Sequence, residues 1–142
     1  EAARKREEEA ARLAAEQEEA RKREEEAARL AEQQRQQLQR QCEQSTVTVN
    51  TLLKKAEKDM EENRFIFPPR GNALEKYQQV LALCPGNEQA KAILGKMAEF
   101  YENKAKEKLK KGHIGACRDN IENGLRAVPD HRGLVDLKAR CQ

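Results

Sequence analysis

No glycine or proline occurs before Pro68, and the segment Ala3 to Ala14, reading ARKREEEAARLA, recurs 17 residues later as Ala20 to Ala31. Ala, Glu, Arg, Lys, Leu and Gln are strong helix formers, because straight side chains lose little rotamer freedom in a helix. A stretch built from them, with no chain breaker, has few alternatives to helix. Opposite charges fall one turn apart at Glu1 and Lys5, Arg4 and Glu8, Glu8 and Arg12, Glu18 and Lys22, Glu19 and Arg23, and Glu25 and Arg29. Each such pair contributes only about 0.2–0.5 kcal/mol, but a ladder of them can sustain a helix in water without tertiary contacts. Residues 1–44 would then form a rod of roughly 66 Å at 1.5 Å per residue.

Three states are open to this arm: a single solvated helix, which is the favoured one, a weak coiled coil, and disorder. The best heptad register places Ala3, Ala10, Leu13, Ala20, Ala27, Ala31 and Leu38 on the seam but also Arg6, Gln17, Glu24, Gln34 and Gln41. A shift of 17 residues turns a helix by about −100°, so Leu13 and Leu30 face different directions and no continuous apolar stripe forms. In composition the arm resembles the Ala/Glu/Lys/Arg-rich helical spacer of the Tol and Ton energy-transducer proteins of the bacterial envelope, which implies a spacer role and an envelope setting.

Composition changes near residue 47. Residues 1–47 hold 10 Lys/Arg against 12 Asp/Glu, and residues 48–142 hold 18 against 13. Neither half is biased enough to imply nucleic acid or an anionic membrane surface. With 37% of residues hydrophobic, 37% charged and a mean hydropathy of −1.03, one core cannot extend over the whole chain. The expected division is therefore a charged helical arm, 1–47, and a folded domain, 48–142. No apolar run of about 18 residues exists, so direct membrane insertion is not expected. The chain begins with Glu, inside a repeat, and is read as a fragment of a longer protein.

Beyond residue 47 apolar residues recur with a helical period: Leu52, Leu53, Ala56, Met60; Ala73, Leu74, Tyr77, Val80, Leu81, Cys84; Ala90, Ile93, Leu94, Met97, Tyr101, Ala105, Leu109; Ile114, Cys117, Ile121, Leu125, Val128; and Leu134, Leu137, Cys141. This predicts five amphipathic helices. Breaks are expected at Pro68-Pro69-Arg70-Gly71, Pro85-Gly86-Asn87, Gly112 and Pro129-Asp130. Val47-Thr48-Val49 is the only strand-like run.

A second repeat lies in this half. Leu52, Ala56, Met60, Asn63 and Phe65 match Tyr101, Ala105, Leu109, Gly112 and Ile114 in spacing; after a five-residue insertion, Ala73, Tyr77, Val80, Leu81 and Pro85 match Cys117, Ile121, Gly124, Leu125 and Pro129. Small Ala105 and Cys117 let antiparallel helices approach, Gly112 can take φ > 0 at a helix end, Asn63 tolerates the same conformation, and Pro129 closes the second helix. The order Tyr101, Ala105, Gly112, Ile114, Cys117, Ile121, Gly124, Pro129 resembles the tetratricopeptide repeat. The departures are the loop Phe65-Ile66-Phe67-Pro68-Pro69 and the spacing of 44 residues from Pro85 to Pro129 rather than the family's 34, which lengthens the helix from about 88 to 111. The fold expected is all-α: a long charged N-terminal helix followed by tetratricopeptide-like antiparallel helix hairpins. The resemblance also implies a concave partner groove presenting Asn50, Leu53, Glu57, Glu99, Glu102, Lys106 and Lys110.

Cys117 and Cys141 lie 12 residues on either side of Pro129, so a hairpin turning there would set them opposite each other, provided their Cα atoms come within about 7 Å. Cys42 and Cys84 form the remaining pair if the arm folds back near Ser45-Thr46. The alternative for all four is a buried, unbridged thiol. His113 and Cys117 stand four apart, but His131 is too distant to complete a zinc site, and no metal or cofactor is expected. No phosphate loop, nucleophile elbow or His/Asp pairing occurs, so the chain is expected not to be an enzyme. Lys104, Lys106, Lys108, Lys110 and Lys111 form a basic run with no interleaved aromatics; this suits a helix C-terminus better than nucleic acid. The apolar loop at Phe65 to Phe67 is expected to tuck back over the first hairpin. The function these readings favour is a protein-binding or scaffolding module on a stiff spacer, in the periplasm or cell envelope; the alternatives are a rigid linker with no partner, and a cytoplasmic setting.

Overall fold

The computed structural model describes residues 1–142, and every regular element in it is helical: α1 (Ala2–Gln44), α2 (Thr46–Glu61), α3 (Ala73–Leu83), α4 (Glu88–Lys110), α5 (Ile114–Ala127), α6 (Arg132–Lys138) and a closing 3-10 turn, Ala139–Cys141. The chain divides into two compact units, Glu1–Arg40 and Gln41–Gln142. The second begins before the change in composition because Cys42, in the last turn of α1, is joined to Cys84 at the end of α3.

The first unit is helix with no buried residue. Its ion pairs differ in part from those that spacing suggests: Arg4 serves Glu1 and Glu8, Arg21 serves Glu18 and Glu25, each at 2.5 Å, and Arg35 holds Glu32 at 2.6 Å. Glu1 and Glu18 thus pair with arginines rather than with Lys5 and Lys22, because the branched guanidinium can reach carboxylates on both neighbouring turns, while Glu25 goes to Arg21 and Arg29 takes Glu26 instead.

In the second unit five helices form successive antiparallel hairpins, α2 with α3 and α4 with α5, with α6 against α5 and α4. Val47-Thr48-Val49 is helical; Val49 enters the core while Val47 stays exposed. The helix ends follow from local chemistry. Asn72 and Asn87 cap α3 and α4 by accepting from the N–H groups of Glu75 and Ala90, and His131 Nδ1 accepts from Leu134 N–H at α6. α2 and α4 end in one motif: the N–H groups of Asn63 and Arg64 donate to the carbonyls of Met60 and Asp59, and those of Gly112 and His113 to Leu109 and Lys108. This is a Schellman cap, with the residue of positive φ at its centre.

Two apolar clusters share α4. Ala90, Leu94, Met97 and Tyr101 pack with Val49, Leu53, Ala56, Leu74, Tyr77 and Val80. Ala98 and Ala105 pack with Cys117, Ile121, Leu134, Leu137 and Cys141. The length of α4 lets one helix serve both cores: Ala90 and Leu94 belong to the first, Ala105 to the second, and Met97, Ala98 and Tyr101 between them divide by helix face.

The loop Asn63 to Asn72 is tied down at both ends. Ile66 is buried, Phe65 half-buried, and Phe67 60% exposed, so the expected tucking holds for the first two residues and fails for the third. Pro68 follows a cis peptide bond, and Arg70 has φ 63°. The fully buried Asn72 amide donates to the carbonyls of Ile66 (2.7 Å) and Pro68 (3.0 Å).

Candidate functional site

The two cysteine pairs are at bonding distance, with Cα separations of 4.7 Å for Cys42–Cys84 and 6.1 Å for Cys117–Cys141, and no cysteine is free. Cys42, in the last turn of α1, meets Cys84, the C-cap of α3. Ser45 joins α1 to α2 as a single residue, and α3, antiparallel to α2, returns its C-cap to the chain just ahead of α2. Cys117 and Cys141 stand within the second core.

The seven residues expected to line a partner groove do not share one environment. Leu53 faces inward as part of the first core, so it is not a groove contact; its position in the α2 period places it beside Ala56 against α3. Asn50 and Glu99 are exposed. Glu57 accepts a 2.7 Å hydrogen bond from Gln89 Nε2, linking α2 to α4. Glu102 is an internal anchor: its side chain is 16% exposed, it pairs with Lys106 at 2.8 Å, and His131 Nδ1 lies 3.6 Å away. A Cβ on Gly133 would come within 2.6 Å of its carboxylate oxygens, so the absence of a side chain on α6 makes room for Glu102.

Lys106 and Lys110 do come together. With Asn103, Glu107, Leu109 and Arg140 they line an open cleft of about 590 Å³ between the last turns of α4 and the 3-10 turn. Lys111 holds Glu107 at 2.9 Å, and its hydrogen bond and then its charge keep that carboxyl below the usual range. Lys110 and Arg140 enter no ion pair of the α4 face, whose two are Lys106–Glu102 and Lys111–Glu107. The cleft therefore has a net positive character. Arg140 was not legible as a site residue, because its place depends on the Cys117–Cys141 bond holding the C-terminal turn against α5.

Two buried polar groups escaped the sequence reading. The Asp59 carboxylate, almost wholly buried on α2, accepts from Arg64 at 2.7 Å and from Lys76 on α3. Burial alone would raise its pKa, but the hydrogen bonds from Lys76 and Arg64, with their positive charges, bring it below the usual carboxylate value. This is a structural ion triad that holds the long loop to the first hairpin, and Asn72 is its partner in that task. Burial raises the Tyr77 phenol, helped by the charges of Glu57 and Asp59, and burial likewise raises Tyr101.

No cluster of three potential ligands for a metal ion is present, and no helix is long and apolar enough to cross a membrane. No protein-family model, curated protein or solved structure matches this chain.

Proposed function

We propose that the domain after residue 47 is a non-catalytic, tetratricopeptide-like protein-binding module carried on a stiff charged spacer, part of a larger envelope-associated protein. The observation that carries this reading is the cleft beside Leu109, where Lys110 and Arg140, exposed cations with no carboxylate partner, gather with Lys106, which is held by Glu102. Such a surface suits an acidic segment of a protein partner or of another domain of the parent chain. The repeated cap at Asn63 and Gly112, and the hairpin pairing of α2 to α5, support the repeat resemblance. Two cysteine pairs at bonding distance support an oxidising compartment, and with the spacer composition they favour the periplasm or cell envelope.

One observation favours the rigid-linker reading. Leu53, Glu57, Glu102 and Lys106 are occupied within the fold, which leaves less of the inner face free for a partner. Capture from an envelope extract on the immobilised chain separates the two. A recognition module loses its partner on Lys110→Glu with Arg140→Glu, two exposed positions, while a linker recovers no specific partner from either form. Glu102→Lys is the wrong variant for this purpose, since it removes an internal anchor.

A further inference from the structure

Away from the basic cleft, the C-terminal end of α2, the loop after it and the middle of α4 enclose a small apolar cleft of about 170 Å³, lined by Met60, Phe65, Lys96, Met97, Phe100 and Tyr101. Its volume is close to that of the apolar cavity of about 150 Å³ that accepts a benzene ring in a well-studied lysozyme variant, so it has room for one large side chain. None of its aromatic or Met residues is among the seven that the repeat resemblance assigns to a groove. Phe100 is 42% exposed although it is a large aromatic residue of a central helix. It is held in place edge-on by Phe65 at 5.9 Å and Tyr101 at 5.2 Å. Exposed aromatic surface that is already fixed loses little conformational freedom on binding, which is how anchor pockets gain affinity.

Charge around the cleft selects what would enter. Lys96 is the one charged residue of its lining, and the Lys104 ammonium stands 5.0 Å from the Phe100 ring centroid. Lys96, Phe100 and Lys104 are four residues apart and so run along one stripe of α4. Two carboxylates nearby in the chain are engaged elsewhere, Glu62 with Arg64 at 2.5 Å and Glu107 with Lys111 at 2.9 Å, and Glu61, which follows Met60, is exposed. Glu99 lies about 100° around the helix from Phe100. The cleft is thus an apolar socket with a cationic rim.

We propose that this socket binds an acidic peptide segment of a partner protein, inserting one large apolar side chain between Met60, Phe65 and Phe100 while its carboxylates meet Lys96 and Lys104. The assignment rests on the reading of the chain as a protein-binding module and gives that module a second, more specific site. Peptides in which an aromatic or branched aliphatic residue is flanked by Asp or Glu fit it; basic peptides do not.

The chain supplies its own reporters, because Met60 and Met97 are its two methionines and both line the cleft. The test is a titration of the full chain, labelled with methyl-13C methionine, with a capped nonapeptide of glutamates around a central phenylalanine, in about 150 mM salt. Both methyl resonances should shift and saturate with a dissociation constant on the order of 10–100 µM. Affinity should fall by about tenfold or more when the central residue is serine, in Phe100→Glu, and in the double variant Lys96→Glu, Lys104→Glu, with helix content by circular dichroism unchanged. The proposal fails if the methyl groups do not respond at millimolar peptide, or if the serine peptide moves them equally. It fails equally if a phenylalanine peptide flanked by lysines binds as well. Resonances that move on dilution of the protein alone, with a dimer in sedimentation, would assign the socket to a second copy and overturn the peptide. If the peptide fails while Lys110→Glu with Arg140→Glu still abolishes capture from extract, the socket falls and the binding-module reading stands.

Discussion

Asn63 and Gly112, forty-nine residues apart, occupy the same left-handed backbone conformation, φ 60° and 76°, at the same position of two identical helix caps. The correspondence continues past the loop with a different offset. Cys84 and Val128 share φ near −135°, and Asn87 and His131 share φ near −62° with ψ 111°, each forty-four residues apart. The five-residue difference is the insertion that carries Ile66 to the core and leaves Phe67 in water.

The two caps respond differently to substitution. Gly112→Ala should lower stability by about 1–2 kcal/mol, since a Cβ is strained at that φ, whereas Asn63→Gly should stay within about 0.5 kcal/mol. Urea unfolding at constant m-value checks both.

Gly124 answers to a close approach rather than to backbone freedom. A Cβ there would meet Leu134 Cδ1 at 2.5 Å and Tyr101 Cβ at 3.2 Å. Gly124→Ala should therefore destabilise by about 1–2 kcal/mol in spite of alanine's better helix propensity. A lowered thermal midpoint with unchanged far-ultraviolet circular dichroism is the expected result.

Asp59 sets an acid limb on stability. Its pKa is lowered in the folded state, so its contribution is complete above the ordinary carboxylate value of about 3.9 and is lost as pH falls through the lower folded value. Asp59→Asn should cost about 3 kcal/mol at neutral pH, because Lys76 is left half-enclosed without its carboxylate, and the cost should shrink as pH falls toward 3. Denaturant titrations at a series of pH values measure the slope.

Protein prepared under oxidising conditions and denatured without reductant should show no free thiol. Closing sequence separations of 42 and 24 residues, the Cys42–Cys84 and Cys117–Cys141 bonds should contribute about 4 and about 3.5 kcal/mol through the unfolded chain. Pairwise serine variants, unfolded in denaturant, give each value, and four free thiols would remove the bridges and the oxidising compartment together.

A peptide of residues 1–40 should be helical and monomeric in sedimentation at all accessible concentrations. Its helicity should fall with added salt and on Arg21→Gln, since Arg21 joins Glu18 and Glu25 at 2.5 Å on an exposed surface. A concentration-dependent rise in helicity would identify the arm as a coiled coil instead.

The helices and their ends were legible because they are local: the apolar period, the Pro-Gly-Asn and Pro-Asp breaks, and the glycine after the last lysines of α4 act over a few residues of chain. Both cysteine pairings were legible for a related reason, a hairpin symmetric about Pro129 leaving one remaining pair. The site was less so. Leu53 and Glu102 belong to the same helical faces as exposed Asn50 and Glu99, and periodicity alone could not say which would be covered.

From its amino acids in order, this chain specifies an exposed charged helix, five amphipathic helices and where each one stops, since propensity, capping and spacing are properties of near neighbours. Burial of Asp59 needed Lys76 from the next helix, the space for Glu102 needed Gly133 on α6, and the apolar socket needed Met60 and Phe65 set across from Phe100. Those outcomes depend on which surfaces meet after the helices have formed, and a side chain is costly or favourable there according to partners many residues away.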